Sequence, residues 1–125
     1  MRTTFDHERL DVYQAAVDFV VVANGIVEHF PRGRAYLADQ LQRAAVSIPL
    51  NIAEGAGEFS SKDKARFYRM ALRSATECAA IIDVAHRLGL IEREQSDESR
   101  ELLARVVAML TRMVQRNSRN RRYAA

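Results

Sequence analysis

Apolar residues recur every three or four positions in four stretches of the chain, and no segment alternates with the period of two that a β-strand needs. The breaks between the stretches fall at Pro31-Arg32-Gly33, at Gly55 to Gly57 and at Gly89, and these are residue types that end helices. The pattern predicts an all-α fold, an up-down four-helix bundle that occupies residues 1–125 as a single domain. The predicted helices cover about 6–30, 34–57, 60–88 and 96–119, and a basic tail covers 116–125.

The helix boundaries rest on particular residue types. Ser60 and Asp63 have the spacing of a capping box, which predicts that the third helix begins at Ser60, and Gly89 is a suitable residue to end it. The fourth helix is expected to begin near Ser96 or Asp97, because the acidic residues there suit a helix N-terminus. It is expected to end near Arg119.

The second predicted helix is the most informative. Its core-facing arc consists of Leu37, Leu41, Ala44, Ala45, Ile48 and Ile52. A third face is small and largely apolar, which is unusual for an exposed surface and indicates either contact with another subunit or a central position within one bundle. The proline within this helix should bend it and free the carbonyl of Ala45. The candidates for an oligomer interface or a structural motif are Val46, Ser47, Pro49, Leu50, Asn51, Ala53 and Glu54.

Composition restricts the class of protein. The chain has 125 residues, of which 48% are hydrophobic, and its single cysteine, Cys78, has no intramolecular partner, as is usual in a reducing compartment. The longest uncharged run, residues 44–53, is half of the roughly 20 residues that a membrane-spanning helix needs. We therefore expect a cytoplasmic protein that does not enter a membrane.

The net charge of +3 conceals an uneven distribution. Residues 1–101 contain 13 basic and 16 acidic side chains, whereas no acidic residue follows Glu101. Basic residues also recur on one face of the third predicted helix, so a phosphate backbone is a candidate ligand. The alternatives are a solvated face that pairs with Glu58, Asp63 and Glu77, and a genome that favours arginine codons. The candidate nucleic-acid contacts are Arg34, Arg43, Lys62, Arg66, Arg69, Arg73, Arg112, Arg116, Arg119, Arg121 and Arg122.

Catalytic chemistry finds little support in the sequence. His7, His29 and His86 do not have the spacing of metal ligands, and no phosphate-binding loop or nucleophile elbow is present. Glu54 could imitate an acid–base site together with Asn51 and Ser47, but no complementary base is evident, so a hydrogen-bonding role is preferred. We expect no enzyme activity, no cofactor and no metal, and we interpret Cys78 as a small packed residue.

The segment from Gln40 to Gly57, QLQRAAVSIPLNIAEGAG, resembles the central motif of the four-helix bundle proteins named after 23S ribosomal RNA intervening sequences. Their pattern is roughly Q-x-R-R-A-A-x-S-I-P-x-N-I-A-E-G, and Gln42 replaces the first of the paired arginines. Flanking segments agree, among them Phe30-Pro31, the residues Phe67-Tyr68-x3-Leu72-x-Ser74-x2-Glu77, and Leu88-Gly89-Leu90-Ile91. The matching positions are Gln40, Arg43, Ala44, Ala45, Ser47, Ile48, Pro49, Asn51, Ile52, Ala53, Glu54 and Gly55.

The resemblance implies an up-down four-helix bundle that associates as a ring-like homopentamer. A related branch, the accessory variability proteins of diversity-generating retroelements, forms basic barrels that bind nucleic acid and a reverse transcriptase. No catalytic residue is carried over by the resemblance. The leading hypothesis is a non-enzymatic homo-oligomer that binds RNA or DNA through arginine-rich surfaces. The alternatives are a scaffold for a reverse transcriptase or another protein without nucleic-acid contact, and a small-molecule or metal site inside the bundle or ring.

Overall fold

The structure, a computed structural model, describes residues 4–124, and it describes side chains as far as Ser118. This part of the chain contains four α-helices, two short 3₁₀ turns and no β-strand. The turns are Asp6–Arg9 and Arg32–Arg34, and the helices are α1 (Asp11–Val27), α2 (Ala35–Ala56), α3 (Ser61–Arg87) and α4 (Arg93–Ala124). None of these helices is both long enough and apolar enough to cross a membrane over the residues described.

The four helices form the predicted up-down bundle. Each helix packs against the next one along the chain, and α1 also packs against α4, whereas the described backbones do not approach within 8 Å between Cα atoms across either diagonal of the bundle. The core is formed by apolar residues at three- and four-residue spacing, and Phe19, Leu41, Ile82 and Leu110 from the four helices are fully buried. Complete burial of a side chain of this size stabilises the folded state by about 1.5–3 kcal/mol.

The core-facing arc predicted for α2 is confirmed, since all six of its residues are buried. Pro49 is buried as well, and α2 continues through it. Pro49 therefore lacks the exposure of Val46 and Leu50, and its place among the interface or motif candidates stays a prediction. At 100° per residue, Pro49 shares the flank of α2 that carries Gln42, and Gln42 donates a hydrogen bond from Nε2 to Asn24 Oδ1 on α1 at 3.2 Å.

The predicted start and end of α3 are confirmed. The Ser60 hydroxyl accepts a hydrogen bond from the backbone N–H of Asp63 at 3.1 Å. Gly89 has a φ of +77°, a conformation that glycine adopts without steric cost. The N–H of Leu90 then donates to the carbonyl of Ala85 at 2.9 Å, which is the pattern of a glycine-terminated helix.

The ends of α1 and α4 differ from the predicted ones. Helix α1 ends at Val27, and the N–H of Phe30 closes a turn by donating to the carbonyl of Val27. Helix α4 already begins at Arg93, where Gln95 Oε1 accepts a hydrogen bond from the backbone N–H of Glu92 at 3.3 Å. The serine taken as a possible cap, Ser96, is instead buried within the helix, whose backbone continues beyond Arg119 to Ala124.

Candidate nucleic-acid interface

Four basic residues form a stripe on the outer face of α3. Lys62, Arg66, Arg69 and Arg73 are all exposed, because they lie opposite the residues that α3 buries in the core. None of them forms an ion pair with a side chain that the structure describes. The structure therefore does not show the alternative in which Glu58, Asp63 and Glu77 neutralise this face, as far as its side chains are described. The four positive charges remain available to a ligand.

The C-terminal half of α4 lies beside this stripe. Arg69 donates a hydrogen bond from Nη2 to Ser118 Oγ at 3.4 Å, which joins the two helices at this end of the bundle. Arg112 and Arg116 are exposed on the same half of α4. Burial raises the pKa of the Tyr68 hydroxyl, and the positive charge of Arg116 acts in the opposite direction. Arg112 and Arg116 line a concavity of about 190 Å³ together with Leu10, Asp11 and Val12, so both arginines lie on the side of α4 that faces α1.

Helices α3 and α4 are electrically polarised along their length. Residues 61–74 and 106–118, the halves of α3 and α4 at this end, contain seven Lys or Arg and one acidic residue, Asp63. Residues 75–87 and 93–105, the other halves of the same helices, contain four Lys or Arg and six acidic residues. The antiparallel arrangement thus brings charges that are distant in the sequence to one end of the bundle, and we call the basic residues of α3 and α4 at this end the basic surface.

The other candidate contacts stand apart from this surface. Arg34 precedes α2 at the opposite end of the bundle, where its Nη1 donates to the hydroxyl of Tyr36 at 3.2 Å. Arg43 is exposed on α2 and belongs to a different face. The side chains of Arg119, Arg121 and Arg122 lie outside those that the structure describes.

The outward face of α2 is apolar, as predicted. Val46 is 43% exposed and Leu50 is 60% exposed, although both are large aliphatic residues. They lie in a shallow concavity of about 500 Å³ that also contains Gln42, Arg43, Ser47 and Asn51. No helix of the described chain covers Val46 or Leu50, so the explanation that α2 lies in the centre of its own bundle does not hold for this face.

Ser47 and Asn51 form a hydrogen-bonded cluster at the α2–α3 boundary. The hydroxyls of Ser47 and Ser74 are 2.8 Å apart, and Asn51 Nδ2 donates to both the hydroxyl and the carbonyl of Ser47, at 3.0 and 2.9 Å. Glu54 is exposed and forms no hydrogen bond with a described residue. The hydrogen bonds agree with the role predicted for Ser47 and Asn51, whereas Glu54 takes no part in them, so the cluster lacks the carboxylate that acid–base chemistry would need.

Three further residues at this end of the bundle have structural features that the sequence pattern did not predict. Gly55 lies against the ring of Tyr68, so closely that a Cβ at position 55 would be 2.6 Å from Tyr68 Cε1. Lys64 donates from Nζ to the carbonyls of Gly55 and Ala56 at 3.3 and 3.0 Å, and thereby caps the C-terminus of α2. Phe59, in the loop between α2 and α3, is fully exposed. The signal for Phe59 was present in the sequence, since it is the only large apolar residue between Gly57 and Lys64.

The residues that often carry catalysis or bind metals are dispersed. The described residues contain no group of three or more His, Cys, Asp or Glu side chains that could hold a metal ion. Cys78 is fully buried, and burial, with a smaller effect from the negative charge of Glu77, raises the pKa of its thiol to about 12. A thiol in this state is not a nucleophile at neutral pH.

Comparison with known proteins agrees with this architecture. The family model described as 23S rRNA-intervening sequence protein matches residues 8–112. The chain belongs to this family. A solved structure from Bacteroides thetaiotaomicron VPI-5482, described as a protein with unknown function from the S23 ribosomal protein family, is 21% identical in sequence. The match covers 82% of this chain and 97% of that one with a TM-score of 0.73, so it shows a common fold. No curated protein matches this member of the family significantly.

Proposed function

We propose that this 23S rRNA-intervening sequence protein is a non-enzymatic homo-oligomer that binds RNA or DNA on the basic surface formed by α3 and α4. The observation that carries the proposal is the stripe of four exposed cations on α3, which have no ion-pair partners among the described side chains and lie at the same end of the bundle as Arg112 and Arg116. Arginine suits this role because its guanidinium can donate two parallel hydrogen bonds to a phosphate. The uneven distribution of charge along α3 and α4 supports a polyanionic ligand on this surface.

A titration at several salt concentrations tests nucleic-acid binding. A fluorescent RNA hairpin and the DNA of the same sequence should both bind at low salt, and log Kd should rise linearly with log salt concentration. The double variant Arg66→Gln/Arg73→Gln should lower the slope of that line by about 1 for each phosphate that the protein no longer neutralises. The matched control is Arg93→Gln/Arg100→Gln, which removes the same charge from exposed residues at the acidic end of α4.

Two results would contradict this part of the proposal. One is the absence of binding, or binding without salt dependence. The other is an equal loss of affinity in both double variants, because that would show a dependence on net charge alone and no role for the basic surface.

Oligomer formation is proposed to use the outward face of α2, with Leu50 near its centre. The support is the exposure of Val46 and Leu50 and the partial exposure of Ala53 along the same face. A pentamer, as the family resemblance implies, would bring five copies of a chain of charge +3 together and give a total formal charge of +15. That concentration of charge would strengthen the attraction of a phosphate backbone.

Light scattering coupled to gel filtration tests the assembly. Leu50→Asp should lower the mass to that of a smaller species, because it places a charge in the interface. Val21→Asp, on an exposed position of α1, should leave the mass unchanged. A wild-type protein of monomeric mass, or a Leu50→Asp variant of unchanged mass, would refute the assignment of this face.

The second candidate function is a protein-interaction scaffold without nucleic-acid contact. The exposed apolar face of α2 favours it, because such faces also bind unrelated proteins. An intact wild-type oligomer that binds neither RNA nor DNA at low salt would favour the scaffold over the leading proposal.

A further inference from the structure

Phe59 is unusual among the exposed apolar residues that the structure describes, because no other part of the protein shields its side chain from solvent. Its exposed fraction is 101%, whereas the next most exposed large apolar residue, Val21, is at 68%. The position before a helix N-cap often holds an apolar residue that packs onto the first turns of the helix. Phe59 occupies that position before Ser60, yet its ring is not packed.

The backbone on both sides of Phe59 is held in place. On one side, the N–H groups of Gly57 and Glu58 donate to the carbonyls of Ala53 and Gly55, both at 3.1 Å. On the other side, Ser60 caps α3. The hydrogen bonds from Lys64 to the end of α2 join the two helices beneath the loop. The ring is therefore presented to solvent from a fixed backbone.

Phe59 also lies next to the basic surface. It precedes Lys62 by three residues, so their Cα atoms are at most about 11 Å apart. One turn further along α3, the guanidinium of Arg66 lies 4.6 Å from the centroid of the half-buried Phe67 ring, which supports the side chain of Arg66 at this end of the stripe. Glu58 and Asp63 are the acidic residues nearest to Phe59 in the sequence.

An exposed aromatic ring at the end of a row of cations is the arrangement that binds unpaired nucleotides, since the cations follow the backbone while the ring stacks on a base. A base inside a duplex is already stacked and is not accessible to such a ring. We infer that the basic surface takes RNA or DNA with unpaired nucleotides, and that Phe59 stacks on one of their bases. This inference rests on the proposed nucleic-acid function and adds the class of ligand.

The sequence contains no tryptophan, so Phe59→Trp introduces a single indole reporter at this position. Its fluorescence should be quenched by an unstructured single strand, of either RNA or DNA, and not by a blunt duplex of the same length. Tyr36→Trp is the control, because Tyr36 is exposed at the opposite end of the bundle, and its indole should not respond.

Affinity measurements complete the test. Phe59→Ala should weaken binding of the single strand roughly 5- to 150-fold and leave duplex binding unchanged, since stacking on an aromatic side chain is lost. Because Phe59 is fully exposed, this variant should keep the circular dichroism spectrum and the mass of the wild type.

The possible failures are distinguishable. Binding of strands without quenching of the indole in the Phe59→Trp variant, or an equal effect of Phe59→Ala on single strand and duplex, would overturn the inference and leave the proposed function in place. A change of mass in Phe59→Ala would also overturn it by assigning Phe59 to the assembly. If neither RNA nor DNA binds at low salt, both the proposed function and this inference are refuted.

Discussion

A methyl group at position 55 has no free space in this fold. A Cβ on Gly55 would lie 2.6 and 2.9 Å from two carbons of the Tyr68 ring and 3.2 Å from Phe67 Cβ. Tyr68 is buried, so its ring cannot simply swing into solvent. The backbone of Gly55 has an ordinary helical conformation, without a positive φ, and the requirement for glycine therefore comes from packing between α2 and α3.

The expected effect of Gly55→Ala is the difference between two terms. Overpacking a core costs about 1–3 kcal/mol. Replacing a helical glycine by alanine gains about 0.5–1 kcal/mol, and the gain is smaller in the last turn of a helix. We expect the free energy of unfolding to fall by about 1–2 kcal/mol. The measurement is urea unfolding followed by far-ultraviolet circular dichroism, at one fixed protein concentration because assembly would contribute to stability.

Gly25 provides the matched control. It also lies near the C-terminus of a helix, but no atom lies within 4 Å of a Cβ built on it. Because Gly25 also lies in the last turn of its helix, Gly25→Ala should leave stability unchanged or raise it by up to about 0.5 kcal/mol. A second check combines Gly55→Ala with Tyr68→Leu, which should reduce the penalty of the alanine. The packing explanation would be refuted if Gly55→Ala were as stable as Gly25→Ala.

Two further predictions concern the α2–α3 boundary and the buried thiol. Ser74→Ala removes one hydrogen bond of Ser47 and should lower the free energy of unfolding by about 0.5–1.5 kcal/mol. Ser47→Ala should lower it further, because Asn51 loses a partner as well. Equal urea midpoints for the wild type and the two variants would contradict this prediction. Because burial raises the pKa of Cys78, its contribution to stability is intact below the ordinary thiol value of 9.0 and is lost as pH rises from there toward about 12. The urea midpoint of the wild type should fall more steeply in that range than that of Cys78→Ala, and parallel curves would contradict the assignment.

The helical core could be predicted from the sequence because periodicity fixes which residues point inward. Leu37, Leu41 and Ile48 share one side of a helix at 100° per residue, whatever the helix packs against. Pro49 shows the limit of this reasoning. Its angle places it between the core and the outward face, and the packing of the neighbouring helices decides which of the two it joins.

The start of α4 could not be predicted for a related reason. Serine followed by acidic residues is typical of a helix N-terminus, yet Ser96 and Ser99 are buried within α4. Ser99 satisfies its hydroxyl by donating to the carbonyl of Ser96 at 3.0 Å, so a polar residue is accommodated in the core. Composition alone does not distinguish this local hydrogen bond from a cap.

The candidate site was predicted in part. The spacing of the basic residues on α3 was sufficient to place them on one face, but their position at the same end of the bundle as Arg112 and Arg116 follows from the antiparallel packing of α3 and α4. The contact between Gly55 and Tyr68 also joins residues that no sequence periodicity connects. Contacts between helices carry the information that a single sequence did not provide.

The positive charges of α3 and α4 are concentrated in one half of each helix, and the other halves are acidic. In the field of a polyanion, an uneven distribution of charge produces a torque before any atoms meet, and the torque turns the basic surface forward. Encounters in the wrong orientation become rarer, so the distribution of charge acts on the rate of productive association as well as on its strength.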